Sequence, residues 1–268
     1  MIPFDQAVDE LRRGFDVAPG ALDRCEEILE IQHLSLAKNP PLSRLPESVR
    51  IAAATRMRSS EIVIARERLP IEEARVIELV RAFVRTLLDD VSGLDVGAEA
   101  WVEAALPAVF ADDAAGVHAA AVRLDLPPDV STALLREALK PEMLRTSSAF
   151  TGLAHEMGPR VRCPLCGELP SAATEAGEAC CRWCGLIFRW DSRTCGACGQ
   201  AHWRTHEIAA IIRHAKLMRC AACGEVVKVF RVSADPLLLS LFVVLTAPFD
   251  LAAHVTARDA PRQAFPVF

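Results

Sequence analysis

One short pattern, C-x-x-C-G, occurs four times between residues 163 and 224: Cys163-Pro164-Leu165-Cys166-Gly167, Cys181-Arg182-Trp183-Cys184-Gly185, Cys195-Gly196-Ala197-Cys198-Gly199 and Cys220-Ala221-Ala222-Cys223-Gly224. Two intervening residues let a tight turn aim both sulfurs at one point, and the following glycine can take the positive φ that brings backbone amides towards them. Each pair is half of a tetrahedral thiolate site, so four halves predict two closed centres. Neighbour pairing gives Cys163, Cys166, Cys181 and Cys184 to one ion and Cys195, Cys198, Cys220 and Cys223 to the other. Fourteen residues then lie within the first pair and twenty-one within the second, lengths typical of small ribbon modules. Interleaved pairing is the alternative. A closed set of four sulfurs suits zinc and iron alike.

Three other residues compete for those positions. Cys180 adjoins Cys181, but its spacing to Cys184 is one residue too long, so Cys181 is the better ligand. His202 and His206 could complete a site with Cys195 and Cys198, yet that spacing is compressed for a Cys2His2 finger and would strand Cys220 and Cys223. A dithiol redox role for Cys195 and Cys198 is made unnecessary by the three sibling motifs. The plainest role for both ions is to fold a segment too short to hold itself together.

The elements before residue 158 read as successive helices. Phe4, Val8, Leu11 and Phe15 recur at helical spacing, as do Ile77, Val80, Val84 and Leu87, with charged residues between them. Pro19-Gly20, Asn39-Pro40-Pro41, Pro70, Ser92-Gly93 and Pro127-Pro128 separate these stretches, with Pro70 and Pro128 placed as first-turn prolines. Six to eight helices are expected. After Gly158-Pro159 cysteines and glycines concentrate, and two runs read as strands, Leu186 to Trp190 and Glu225 to Val232. The expected fold is α+β in two parts: a helical domain over 1–158, then a tandem metal-binding domain over 159–268. Its rubredoxin-like or zinc-ribbon modules span about 159–190 and 191–232, with a C-terminal extension beyond.

Charge follows the same division. Residues 1–158 carry 17 Lys+Arg against 26 Asp+Glu, and residues 159–232 carry 11 against 6. Eight thiolates and two divalent ions would bring the second segment from +5 to about +1, so its basic residues read as compensation for metal–thiolate charge. No leader peptide is read at the N-terminus. The most apolar window, Leu237 to Ala247, is too short for a bilayer. A reducing cytoplasm is the expected compartment, where paired cysteines hold metal more often than they form disulfides.

Outside the knuckles no catalytic constellation stands out. His33, His118 and His155 are scattered singly. Adjacent acids such as Glu26-Glu27, Glu72-Glu73, Asp89-Asp90 and Asp112-Asp113 point in different directions on a helix and read as solvated faces or first-turn charges. Cys25 reads as a small buried apolar residue. The protein is therefore expected not to be an enzyme.

The C-terminal half resembles the formate dehydrogenase accessory proteins of the FdhE family. The resemblance runs through Leu134-Leu135-Arg136-Glu137-Ala138-Leu139-Lys140-Pro141-Glu142 and Arg162-Cys163-Pro164-Leu165-Cys166-Gly167-Glu168-Leu169-Pro170. It continues through the close succession of the Cys181/Cys184 and Cys195/Cys198 pairs to Cys220-Ala221-Ala222-Cys223-Gly224 before Val227-Lys228-Val229. It implies a helical domain followed by two rubredoxin-like modules, and a non-catalytic maturation factor or chaperone that binds iron through the eight motif cysteines. The implied partner is the catalytic subunit of a formate dehydrogenase in the cytoplasm. The chain differs from the family in being somewhat short, in having no tyrosine, and in lacking adjacent acids before Leu237. Those differences widen the expected partner to a related molybdenum enzyme.

Two other functions compete. Arg182, Arg189, Arg193, Arg204, Arg213, Lys216 and Arg219 alternate with aromatic residues, as in nucleic-acid-binding ribbons, although near-neutrality after metal binding argues against that reading. An electron carrier would need an ion that changes valence reversibly. Trp183, Phe188, Trp190 and Trp203 are either interface anchors or the small domain's core. Homodimerisation is compatible with all of these readings.

Overall fold

The computed structural model describes residues 3–14, 19–42, 44–65, 68, 70–87, 94–111, 113–121, 128–207, 215–232 and 235–245. Among the described residues eight helices precede the first knuckle: α1 Phe4–Gly14, α2 Pro19–Lys38, α3 Glu47–Arg58, α4 Glu73–Leu87, α5 Leu94–Phe110, α6 Ala114–Ala121, α7 Pro128–Ser147 and α8 Thr151–Glu156. A single 3-10 turn, Ser148–Phe150, joins the last two.

The apolar spacing read from the sequence becomes a buried face at Leu11 of α1 and at Ile77, Val80 and Val84 of α4, while Phe4 and Val8 are half-buried. Val76, Val80, Phe83 and Val84 of α4 are buried, as are Trp101, Val102 and Ala105 of α5 and Leu135, Ala138 and Leu139 of α7. Helix α4 packs against α5, α7 and α2. One buried polar contact fixes α2 on α7: the Gln32 side-chain amide donates to the Glu137 carbonyl oxygen at 3.1 Å and to its carboxylate at 2.9 Å. Pro128 opens α7, where a missing N–H costs nothing. Pro70 does not open a helix as expected, since α4 starts at Glu73. Phe15 and the Ser92-Gly93 breaker lie outside the described residues.

Among the described residues after the first knuckle, six strands form one sheet. Strands β1 Pro170–Thr174, β2 Glu178–Cys181, β3 Ile187–Arg189, β4 Trp203–Glu207, β5 Ala215–Cys220 and β6 Val226–Phe230 lie in the order β3-β2-β1-β6-β5-β4. Within each three-stranded ribbon all pairing is antiparallel. The ribbons join edge to edge through a parallel pairing of β1 with β6, in which Ala172, Ala173 and Thr174 oppose Lys228, Val229 and Phe230.

Both faces are covered along β1, β2, β3 and β6. Ala173, Ala179, Cys181, Phe188, Val227 and Val229 share a core with the helices of the N-terminal part. Their strand neighbours Ala172, Cys180, Ile187 and Phe230 point the other way, onto helix α9, Pro236–Leu245. This alternation is the period-two geometry of a strand. Helix α9 is apolar apart from Ser240, and Leu237, Leu238, Leu239, Leu241 and Phe242 are each at most 1% exposed. Asp235 caps it, its carboxylate accepting from the Leu237 and Leu238 N–H groups at 3.0 Å. At its other end the buried Lys228 ammonium donates to the Val243 carbonyl oxygen at 3.1 Å, where cationic charge offsets the helix dipole.

Candidate metal centres

The four knuckles lie at the turns of the two ribbons. The first leads from α8 to β1, the second joins β2 to β3, the third precedes β4, and the fourth joins β5 to β6. All four have one backbone geometry. In each, the glycine N–H donates to the first cysteine's carbonyl oxygen at 2.8–3.2 Å, and that cysteine's N–H donates to the residue after the glycine at 2.8–3.0 Å. Gly167, Gly185, Gly199 and Gly224 take φ of 78°, 69°, 77° and 80°, values that the absence of a Cβ makes inexpensive. The turn therefore holds both cysteine side chains on one side, and at the second knuckle the Trp183 N–H reaches the Cys181 sulfur at 3.4 Å.

The sulfurs of Cys163, Cys166, Cys181 and Cys184 converge as one group, and those of Cys195, Cys198, Cys220 and Cys223 as another, each within 4.8 Å throughout. A tetrahedron with metal–sulfur bonds of about 2.3 Å has edges of about 3.8 Å. The observed edges match: Cys163–Cys184 3.6 Å, Cys166–Cys181 3.5 Å and Cys166–Cys184 3.7 Å in the first group, Cys195–Cys223 3.7 Å and Cys198–Cys220 3.6 Å in the second. These separations are far longer than the roughly 2 Å of a disulfide, and every cysteine is free. Each group could hold one metal ion, zinc or iron. The grouping is the neighbour pairing, not the interleaved one.

The crowded thiols divide their protons unevenly. Hydrogen bonds from Cys163, Cys181 and Cys184 hold the Cys166 thiol far below its ordinary value, while burial pushes Cys181 and Cys184 well above theirs. In the second group burial raises Cys223 to about 12. Burial also acts to raise Cys220, but the N–H groups of Cys223 and Ala222 and hydrogen bonds from Cys198 and Cys223 outweigh it and bring that thiol to about 7. A divalent cation that binds such a group displaces the protons its thiols hold, so affinity rises with pH.

Cys180 and His202 stand outside these groups. Cys180 points to the α9 side of the sheet, its sulfur 3.7 Å from the Cys181 and Gly185 carbonyl oxygens. Burial pushes its thiol far up. His202 is exposed and contributes its backbone carbonyl, which accepts from the Ala221 N–H at 2.7 Å. His206 lies opposite Leu217 in the sheet. Trp183, Phe188 and Trp190 are buried, so they are core and not surface anchors. Trp183 packs edge-on against Phe110 of α5 at 5.7 Å, and Trp190 against Trp203 at 6.1 Å.

Three of the basic residues that suggest a nucleic-acid surface pair with acids of the same chain. Arg182 meets Glu225 at 2.7 Å, Arg193 meets Asp191 at 2.8 Å and Lys216 meets Glu175 at 3.1 Å. Arg213 lies outside the described residues. The sequence reading missed what Arg162 and Arg182 do for the centres. Arg162 donates to the Gly167 carbonyl oxygen of the first knuckle at 3.1 Å and to the Gly196 carbonyl oxygen of the third at 2.7 Å. Arg182 and Glu225 join the second knuckle to the fourth. The available signal was position alone: Arg162 precedes Cys163, Arg182 lies inside a knuckle and Glu225 follows the last glycine.

Among the described residues no helix is long and apolar enough to cross a membrane. No family model matches the chain, and no curated protein matches it in sequence. The fold is similar to the crystal structure of the FdhE protein from Pseudomonas aeruginosa, with a TM-score of 0.54 and 16% sequence identity over all of this chain and 96% of that one. At that identity the likeness is one of fold, and it extends over helices and sheet together.

Proposed function

We propose that this chain is a non-catalytic accessory factor that grips a partner polypeptide, the catalytic subunit of a formate dehydrogenase or a related molybdenum enzyme, in the cytoplasm. One observation carries the reading: a full-length likeness in fold to an FdhE protein coincides with two four-sulfur groups at the turns of the sheet. In this reading Cys163, Cys166, Cys181 and Cys184 ligate one ion and Cys195, Cys198, Cys220 and Cys223 the other. Residues 1–158 form the helical domain and 159–268 the metal-binding domain. The ions supply structure, since closed four-thiolate centres leave no open position for substrate.

The chain's own residues define what such a factor offers a partner. The eight sulfurs fix four turns, Arg162 and Arg182 lock those turns together, and the first ribbon backs onto helices on both faces. The result is a stiff surface around the knuckles, and preorganisation of that kind reduces the ordering cost of binding.

The test is an affinity pull-down from native cytoplasm with metal analysis of the captured bait. Recovery of a molybdenum-enzyme catalytic subunit with two metal equivalents supports the proposal. Recovery of nucleic acid instead, released by salt, replaces it with the ribbon reading.

A further inference from the structure

The two sulfur groups share one internal geometry and have opposite surroundings. In the first group all four cysteines are buried, at 0–5% exposure. Helix α7 and the segment that follows α3 close over it. The Leu144 side chain would lie 2.6 Å from a Cβ on Gly185, and Ile62 would lie 3.1 Å from one on Gly167. The Ser147 hydroxyl donates to the Cys184 carbonyl oxygen at 2.7 Å. The Val63 and Ile64 N–H groups both donate to Leu165, inside the first knuckle, at 3.0 Å. In the second group Cys195 and Cys220 are buried, but Cys198 is exposed and Cys223 half-buried. A Cβ on Gly199, beside Cys198, would meet nothing within 4 Å.

We infer that the second centre is an exchangeable metal site, open at Cys198 to soft donors such as thiols, while the first stays loaded. Cys198 releases its bond to the ion as an incoming thiol forms one, and the Cys198 thiolate takes up the proton that the thiol gives up. No electron changes hands. Cys223 is the next ligand to yield, because it is the other one that solvent reaches.

Exchange of this kind needs the ribbon to stay in place while its ligands change, and three contacts hold it. Strand β6 remains paired with β1. Arg162 grips the Gly196 carbonyl oxygen at 2.7 Å, and Arg182 grips Glu225 at 2.7 Å. The backbone fit is close as well, since a Cβ on Gly196 would lie 2.7 Å from the Val161 carbonyl oxygen. The second centre can therefore empty and refill on a docked scaffold, whereas the first empties only by lifting helices off the sheet.

The inference rests on the metal reading above, and the experiment separates the two. The full chain, loaded with two equivalents of zinc, is mixed with the chromogenic chelator 4-(2-pyridylazo)resorcinol and, in parallel, with N-ethylmaleimide followed by peptide mass spectrometry. The expected release has two phases of one ion each, with rates separated on the order of tenfold or more, the size of effect that outer contacts exert on metal sites. Maleimide lands on Cys198 and Cys223 during the fast phase and on the Cys163–Cys184 group only in the slow one. Cys198→Ser abolishes or accelerates the fast phase and leaves the slow phase unchanged. Release of both ions in one phase, or first labelling at Cys163, Cys166, Cys181 or Cys184, overturns the inference. A chain that takes up no zinc overturns the metal reading itself.

Discussion

Arg182, inside the second knuckle, donates to the carboxylate of Glu225, one residue past the fourth, across 2.7 Å. This ion pair ties the turn that carries Cys181 and Cys184 to the turn that carries Cys220 and Cys223. The Glu225 side chain is 9% exposed and that of Arg182 35%, so the pair is shielded mainly on the acid's side. Burial raises the Glu225 carboxyl pKa, and Arg182 opposes that rise.

Replacing Arg182 by methionine removes the partner and leaves the carboxylate buried. The expected loss is about 2 kcal/mol, since an unpaired buried charge costs more than the pair contributes. Adding Glu225→Gln to that variant recovers part of the loss, because the neutral amide is cheaper to bury. Thermal melting of the zinc-loaded single and double variants checks this. If the double variant melts below Arg182→Met, the interpretation fails.

The knuckle glycines are under unequal demands. A Cβ at Gly199 meets only the cost of a left-handed conformation at φ 77°, about 1–2 kcal/mol. A Cβ at Gly185 meets the same backbone cost at φ 69° and also lies 2.6 Å from Leu144 Cδ2, and overpacking of that kind adds about 1–3 kcal/mol. Gly185→Ala is therefore the more destabilising substitution by chemical denaturation. Equal losses would show that Leu144 moves aside freely.

Cys180 and Cys181 are neighbours in β2 and face opposite sides of the sheet. Cys180→Ala should leave two metal equivalents bound after purification, with a small loss of stability from the cavity beside α9. Cys181→Ala should lose one equivalent. Metal analysis by plasma mass spectrometry decides the matter, and loss of an ion from Cys180→Ala would show that this sulfur reaches the centre.

The chemistry of the knuckles was legible because ligand spacing is a local property: two residues between cysteines and a glycine after them determine the turn. The sheet that carries them was much less legible. Strands β3 and β6 stood out through Ile187-Phe188 and Val226 to Phe230, but β1 reads Pro170-Ser171-Ala172-Ala173-Thr174 and β2 reads Glu178-Ala179-Cys180-Cys181. Alanine and cysteine carry little strand preference. They occupy these positions because helices pack on both faces of the two strands, and small side chains allow the close approach. The parallel join of β1 to β6 links residues more than fifty positions apart, a pairing that no local pattern announces. In the sequence helix α9 is only an apolar run too short for a membrane; the burial of Leu237 to Leu239, Leu241 and Phe242 between sheet and helices explains why those positions are apolar.

The Asp235 cap makes α9 sensitive to a single atom. Its carboxylate oxygen satisfies two N–H groups of the first turn, those of Leu237 and Leu238. Asp235→Ala should lower stability by about 1 kcal/mol. It should also speed amide hydrogen exchange in Leu238 and Leu239 more than in α4. Unchanged exchange in α9 would mean that packing alone fixes its first turn.

Cys25 lies in α2, 7% exposed. Burial first, then the negative fields of Glu137 and Glu26, push its thiol from 9.0 up to about 11. Between those values the unfolded chain has released this proton and the folded chain retains it, so the unfolded state binds fewer protons. Stability therefore falls as pH rises through that interval and is unaffected by this group below it. The decline attributable to Cys25 is on the order of 2 kcal/mol across the interval, and Cys25→Ala should remove that much of the fall in unfolding free energy measured in urea. Iodoacetamide labelling provides the second measurement, because the thiolate is the reactive form. In the native protein Cys25 should resist labelling at pH 8 and react only as the pH approaches 11. Labelling at pH 8 at the rate of a free thiol would show that α2 leaves this position open to water.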